Sequence, residues 1–216
     1  MVHPSVQRIL SYNIVQRSPE WYSYRSKRVT ASEVSTVIAQ GRGAETLLLK
    51  KRCGSGSPGF STEYTRIGSE NEQNIVEIYK QMYPDVVVHH ELSIVPHKTE
   101  DYLAASLDAV TDEGINVEIK TCFKTSLNTS VPKSYRDQVQ LQMAVADLEH
   151  THLVYQYINM PGKPVVIHDI PRSYKWFEIN APILRKFAEA LGESAFDLVL
   201  LNYQYEKRYG VLNVKV

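Results

Sequence analysis

Asp108, Glu118 and Lys120 are the residues whose types and spacing could support metal-dependent hydrolysis. They lie in the stretch Ser-Leu-Asp-Ala-Val-Thr-Asp-Glu-Gly-Ile-Asn-Val-Glu-Ile-Lys, residues 106–120. Read as two strands and a tight loop, its second arm puts Ile115, Val117 and Ile119 on one face and Asn116, Glu118 and Lys120 on the other. The first arm runs as one strand, with Leu103, Ala105, Leu107 and Ala109 on one side and Ala104, Ser106, Asp108 and Val110 on the other. Asp112-Glu113-Gly114 suits a three-residue hairpin loop whose glycine takes positive φ. That register sets Asp108 opposite Glu118 or one step off. Two carboxylates so close repel unless a cation or proton lies between them. Mg²⁺ prefers carboxylate and carbonyl oxygens plus waters, so such a hairpin with a lysine beside it fits metal-dependent hydrolysis. The same pattern also fits an amphipathic hairpin whose Glu118 and Lys120 are simply solvated.

Other elements must support that hairpin. Residues 64–82 carry a helical stripe of Ile75, Ile78, Tyr79 and Met82 ending at Tyr83-Pro84. Glu72 extends this stripe, and a carboxylate on a buried face needs a partner, although a frayed helix start would leave it in solvent. Gly68, on the same stripe, would admit a close backbone. Residues 134–148 read as a helix with Val139, Met143 and Ala146 inward and a polar stripe of Gln138 and Gln142. Two strands, 151–158 and 164–170, flank the Met160-Pro-Gly-Lys turn, and Ser173 to Leu191 reads as a helix that Pro182 kinks or divides.

Toward the N-terminus, Ser18-Pro-Glu is a helix entry for Trp21, Tyr22, Tyr24 and Arg25. Trp21 reads as a core anchor, and Arg25 faces the same way one turn on. Thr30 and Glu33 form a capping box that opens a helix through about Gln40. Gly41-Arg-Gly breaks it, a short basic helix follows over 44–52, and Gly54 to Gly59 is the loop of most flexible composition. The tail from Asp197 ends in an amphipathic segment and Val211-Leu-Asn-Val. His89-His90 and His150 with His152 make poor metal sites, since adjacent strand residues point to opposite faces and the second pair has no third ligand nearby.

The chain's 216 residues can bury one substantial core, and the order of elements predicts an α/β domain with a central mixed sheet flanked by helices. One domain over 1–216 is expected. No apolar run approaches the length of a membrane span, and no export signal opens the chain. Cys53 and Cys122 fit no zinc or redox spacing and read as reduced intracellular thiols. Net charge is zero, but residues 1–60 hold nine Lys/Arg against three Asp/Glu, and the remainder fifteen against twenty-one. A basic third beside a carboxylate-rich remainder suits phosphate contacts around an acidic metal site, and equally a solvated basic surface.

From Trp21 to about Tyr157 the chain resembles the phage lambda exonuclease type of viral recombination nuclease, within the PD-(D/E)XK superfamily. The pieces are Glu20-Trp-Tyr-Ser-Tyr-Arg, Val29-Thr-Ala-Ser, Ile67-Gly-Ser-Glu-Asn-Glu, Ala105-Ser-Leu-Asp, Val117-Glu-Ile-Lys and Tyr135-Arg-Asp-Gln-Val-Gln, in that order. Leu107 stands where the name-giving motif has proline, and it keeps the strand's apolar face. The resemblance implies a restriction-endonuclease-like core and a Mg²⁺-dependent exonuclease acting 5′ to 3′ on linear double-stranded DNA. It implies a two-metal site, with Mn²⁺ substituting for Mg²⁺. Asp108, Glu118 and the backbone carbonyl of Ile119 match the metal ligands, Glu72 the further helix-borne carboxylate, and Lys120 the lysine acting on the attacking water. Arg25, Ser32, Ser106 and Gln138 match positions that hold the terminal phosphate or the phosphate near the cut. Expected partners are duplex DNA with a 5′-phosphorylated end and a single-strand annealing protein, in the cytoplasm or nucleus of an infected cell, with monomer and ring trimer both open. The competing readings are a restriction- or repair-type endonuclease of the same fold and a catalytically inactive DNA-binding module.

Overall fold

A computed structural model describes residues 2–53, 63–127, 130–192 and 203–210. The loop at Gly54 to Gly59 and Val211-Leu-Asn-Val lie outside the described residues. Ser18 opens the first helix of interest as the sequence predicts: its Oγ accepts from Trp21 N at 3.2 Å, ahead of α2 (Pro19–Ser26). Before it stands α1 (Pro4–Leu10), and after it β1 (Val29–Thr30). The Thr30/Glu33 capping box is formed, but it starts with a 3₁₀ turn, Ala31–Glu33, before α3 (Val34–Ala39). Gln40 and Gly41, both at positive φ, turn the chain at once into α4 (Gly41–Arg52), three residues earlier than the sequence predicts.

The remaining elements are α5 (Glu63–Met82), β2 (Val88–His90), β3 (Ile94–Pro96), β4 (Leu103–Ser106), β5 (Ala109–Thr111), β6 (Ile115–Cys122), α6 (Lys133–Ala146), β7 (His150–Tyr157), β8 (Val165–Pro171) and α7 (Tyr174–Leu191). Mixed sheets flanked by helices are therefore present, but the strands divide into two sheets. One has the order β2-β5-β6-β7-β8 with only β6 and β7 parallel, and the other has β1-β4-β3 with β1 and β4 parallel. The expected single strand over 103–110 is broken at Leu107-Asp108. Ser106 pairs with Ile94 in the small sheet, whereas Ala109 pairs with His90 and Val117 in the large one. Asp108 thus sits at the seam between the sheets.

Parallel β6 and β7 require a crossover, and α6 supplies it. Every α6 residue from Val139 to Ala146 is buried, so this part of the helix is enclosed rather than amphipathic, while Lys133, Ser134 and Arg136 in its first turn are exposed. It covers one face of the large sheet, within a core that includes Leu103, Leu107, Leu141, Met143 and Leu153. Helix α5 covers the opposite face with Ile75, Val76 and Tyr79 against Val117, Ile119 and Val154. The face of β6 bearing Asn116 and Glu118 is therefore buried under α6, which overturns the solvated-hairpin reading.

Three smaller expectations are corrected. Gly68 has nothing within 4 Å of where a Cβ would stand, so no close backbone explains it. Trp21 is half-buried, and α2 has no fully buried residue, so the indole is not a core anchor. Pro182 does not divide α7, which is continuous from Tyr174 to Leu191, and its exposed position spares the core the lost hydrogen bond. Among the described residues no helix is long and apolar enough to cross a membrane.

Candidate active site

The loop of Asp112, Glu113 and Gly114 joins β5 to β6, with Gly114 at φ +89°. A Cβ there would meet the His3 ring at 3.0 Å, so both conformation and space call for glycine. Pairing of Ala109 with Val117 and of Val110 with Asn116 sets Asp108 directly across from Glu118. Asp108 Oδ2 accepts from Ile119 N at 2.8 Å. Because the N–H and C=O of one strand residue face the same neighbour, the Ile119 carbonyl also faces the Asp108 side, beyond the end of β5.

Glu118 is 2% exposed and its carboxylate is enclosed by nitrogen donors. Its Oε1 accepts from Lys120 Nζ at 2.5 Å and Gln138 Nε2 at 2.6 Å, and its Oε2 from Gln142 Nε2 at 2.5 Å. Gln142, fully buried, also donates to the Ser106 carbonyl at 3.2 Å and accepts from Asn116 Nδ2 at 3.0 Å. Asn116 Nδ2 in turn donates to Thr151 Oγ1 at 3.0 Å. This chain of amides satisfies a buried charge that would otherwise carry a large desolvation cost. Lys120 Nζ reaches Gln138 Oε1 at 3.4 Å and lies 4.9 Å from the Tyr135 ring centroid.

The electrostatics follow from crowding. Burial, reinforced by Glu118 and Glu72, pushes the Asp108 carboxyl well above its ordinary range against the pull of Lys120. Burial works against the Lys120 charge, but Glu118 and Asp108 outweigh it and hold the ammonium above the usual lysine range. Glu72 is also raised by burial and by Glu118, with Arg17 opposing. It shares with Asp108, Arg17, Ser69 and His90 a cavity of about 560 Å³. Arg17 is held there by Ser69 Oγ at 2.9 Å. Three carboxylates thus share one neighbourhood with one lysine.

The four candidate phosphate residues come from α2, the 3₁₀ turn, β4 and α6. Arg25 donates to Ser32 Oγ at 3.0 Å and lies 4.3 Å over the Trp21 ring. Trp21 Nε1 donates to Ser106 Oγ at 3.1 Å, so the indole links Arg25 to the strand that leads into Asp108. Ser32 and Gln138 line one cavity of about 470 Å³ together with Tyr135 and Ser134. Gln138, expected at a phosphate, is here engaged by Glu118 and Lys120.

Sequence reasoning missed the parts played by Trp21, Tyr135, Gln142 and Arg17. Gln142 had a signal, since it continues the Gln138 stripe by one turn. Trp21 had one in its spacing of one helical turn from Arg25, whereas Tyr135 and Arg17 had none beyond their residue type.

The donor set fits a hard divalent cation. Mg²⁺ is held by one or two carboxylates with waters completing its shell, and Asp108, Glu118 and the Ile119 carbonyl lie on one hairpin. The Asp108 carboxyl is raised first by burial and then by Glu118 and Glu72, and a cation beside it would offset all three. Glu118 is turned onto its nitrogen partners, and among the described residues no three His, Cys, Asp or Glu side chains converge as a closed cage. Of the four histidines weighed above, His90 lines the cavity of Glu72 and Asp108, whereas His89 pairs with Asp112 at 2.7 Å, His150 with Asp169 at 3.0 Å, and His152 with Tyr79 at 2.7 Å. Both cysteines are free thiols.

Comparison with known proteins bears on the fold and the family. The fold is similar to that of LHK-Exo in complex with dAMP, with a TM-score of 0.71 at 20% identity over 88% of this chain and 100% of that one. The alkaline exonuclease LHK-Exo from Laribacter hongkongensis gives 0.70 at the same identity and coverage. A phage related exonuclease from Haemophilus somnus 129PT gives 0.56 at 10% identity over 82% of this chain and 96% of that one. The uncharacterized protein R354 of Acanthamoeba polyphaga mimivirus is 26% identical over 153 residues, which are 62% of this chain and 28% of that protein's length. The sequence model of the YqaJ-like viral recombinase domain matches residues 20–149, from the first turn of α2 to the start of β7. With residues 20–149 of its 216 matched, the chain belongs to the YqaJ-like viral recombinase family.

Proposed function

We propose that this chain is a Mg²⁺-dependent deoxyribonuclease that digests linear duplex DNA from a 5′ end and leaves a 3′ single strand. The observation that carries this reading is the placement of Asp108 across from Glu118, with Lys120 on the same strand and Glu72 over the same cavity. Asp108, Glu118 and the Ile119 carbonyl would hold the ion, and Glu72 would reach it through water. When bound, Mg²⁺, or Mn²⁺ in its place, polarises the scissile phosphate and makes water a competent nucleophile near neutral pH. Lys120 orients the attacking water and offsets charge building on the phosphate. The amides of Gln138 and Gln142 hold the Glu118 carboxylate in place.

Arg25, Ser32 and Ser106 take the terminal phosphate, and Gln138, whose Nε2 has a second N–H beside the one given to Glu118, adds an amide donor. A guanidinium fork matches phosphate oxygens, and hydroxyl and amide donors complete the shell. A 5′-terminal phosphate carries more charge than an internal diester, so this group can tell an end from a middle. The exposed 3′ strand is the natural substrate of a single-strand annealing protein.

The test uses linear and covalently closed duplex, with Mg²⁺ and with chelator, and linear DNA bearing either 5′-phosphate or 5′-hydroxyl ends. Digestion of the linear form alone, abolished by chelator, is expected. Phosphorylated ends should be digested roughly tenfold faster, the size of one charge-assisted hydrogen bond, with Arg25→Ala removing most of the difference. Nicking of closed duplex would replace this reading with an endonuclease, and binding without cleavage would make the chain a DNA-binding module.

A further inference from the structure

Lys51 lies on the last turn of α4, away from the carboxylates, and it is 9% exposed. All three of its ammonium donors are used. They go to the backbone carbonyls of Arg25 at 2.7 Å and Arg28 at 2.8 Å, and to Glu33 Oε2 at 2.9 Å. The first two contacts place a cation on carbonyls at and just past the C-terminal end of α2, where the helix dipole favours it. The third engages an acid that also has Arg25 within reach.

Glu33 Oε2 accepts from three donors, Lys51 Nζ, Thr30 N at 3.3 Å and Thr30 Oγ1 at 2.6 Å. Its Oε1 stands 3.8 Å from Arg25 Nη2, too far for a hydrogen bond. Arg25 instead donates to Ser32 and lies on Trp21. A carboxylate this close to a guanidinium competes with any phosphate that the guanidinium is to bind. Bidentate closure of Glu33 on Arg25 would satisfy the fork and neutralise it.

We propose that Lys51 is a positioning residue for end recognition: it holds Glu33 away from Arg25, so that the guanidinium stays available to a terminal phosphate. The inference rests on the reading of Arg25 as the phosphate-binding residue. Thr30 and Lys51 together form a latch on Glu33, and the positive charge of Lys51 is the part that capping geometry alone does not supply. Lysine suits the place because its compact ammonium spreads three donors over two carbonyls and a carboxylate, which a planar guanidinium cannot do.

The test compares digestion rates on 5′-phosphorylated and 5′-hydroxyl linear duplex for the wild type, Lys51→Met, Lys51→Gln, Glu33→Gln and the Lys51→Met/Glu33→Gln double variant, with a thermal melt of each. The wild-type preference of roughly tenfold should fall close to one in Lys51→Met and in Lys51→Gln, which keeps amide donors but no charge. The double variant should regain most of the preference, because the competing carboxylate is gone. Glu33→Gln alone should keep or raise it, and this variant decides the matter if a buried lysine change prevents folding. A preference that survives loss of the Lys51 charge, or is lost in Glu33→Gln, overturns the inference. So does a preference that the double variant fails to regain, since Lys51 would then be a scaffold for α2. Equal wild-type rates on the two ends would remove the Arg25 reading itself and this inference with it, a result distinct from any of the variant outcomes.

Discussion

Glu118 shows how much of a site is decided by what surrounds one residue. On its strand it looks like an ordinary surface acid, yet three nitrogen donors from Lys120, Gln138 and Gln142 enclose it. Asp108 lies opposite with a single backbone donor and a carboxyl whose charge the surroundings oppose. The pair is therefore asymmetric, one carboxylate saturated and one short of positive charge. On the proposed reading, Asp108→Asn and Glu118→Gln should each reduce cleavage in Mg²⁺ by at least a hundredfold while retaining most duplex affinity. On that reading affinity would come mainly from phosphate contacts made elsewhere, and a neutral amide cannot charge-balance a divalent cation. Turnover assays and gel-shift titrations on the same preparations check this, and near wild-type turnover in either variant would remove the hairpin from the chemistry.

Elements set those residues in place, and here local and non-local information separate. The β5–β6 register was legible because strict alternation and Gly114 both act within a few residues, and the register found is one of the two expected. The caps at Ser18 and Thr30 were legible for the same reason. What covers β6 was not legible, because Asn116 and Glu118 carry the same polar signal whether they meet water or the amides of a crossover helix twenty or more residues away. The break at Leu107-Asp108 was also hidden, since a change of strand partner leaves no mark on an alternating sequence. The loop between β3 and β4 carries a different kind of information. His97 stacks on Phe177 of α7 with centroids 5.4 Å apart, and its Nδ1 accepts from Thr99 N at 3.2 Å and Glu100 N at 3.1 Å. Burial, opposed by Glu100 and helped by Arg172 and Arg8, holds its pKa below the ordinary value. The unfolded chain therefore binds a proton at His97 before the folded one does. Stability rises with pH across that window and is lost as pH falls below about 6.5. His97→Asn, which keeps a side-chain acceptor for the turn, should show a smaller drop in melting temperature between pH 7.5 and pH 5.5 than the wild type. An equal drop in the two proteins would assign the sensitivity to other groups, His152 first among them, since burial lowers it too.

Across the whole molecule, the residues proposed for chemistry and those proposed for end recognition are anchored very differently. Asp108, Glu118 and Lys120 fall within thirteen residues of chain, on or beside a strand paired on both sides and covered by helices on both faces. The sequence predicted this division only in part: it placed basic charge in the first sixty residues and carboxylates after them, without showing how little of α2 is buried. Trp21 and Arg25 lie on a helix with no fully buried residue, tethered by the half-buried indole and by Lys51 on its last carbonyls. Elements with few buried contacts open at lower free energy than the global transition. In native-state hydrogen exchange the α2 amides should therefore lose protection well before those of β6, and equal protection would show that the Lys51 tether is as strong as the core. Mild warming or low denaturant would then melt the reader before the blade, leaving a population that still cuts DNA but no longer distinguishes which ends it is cutting.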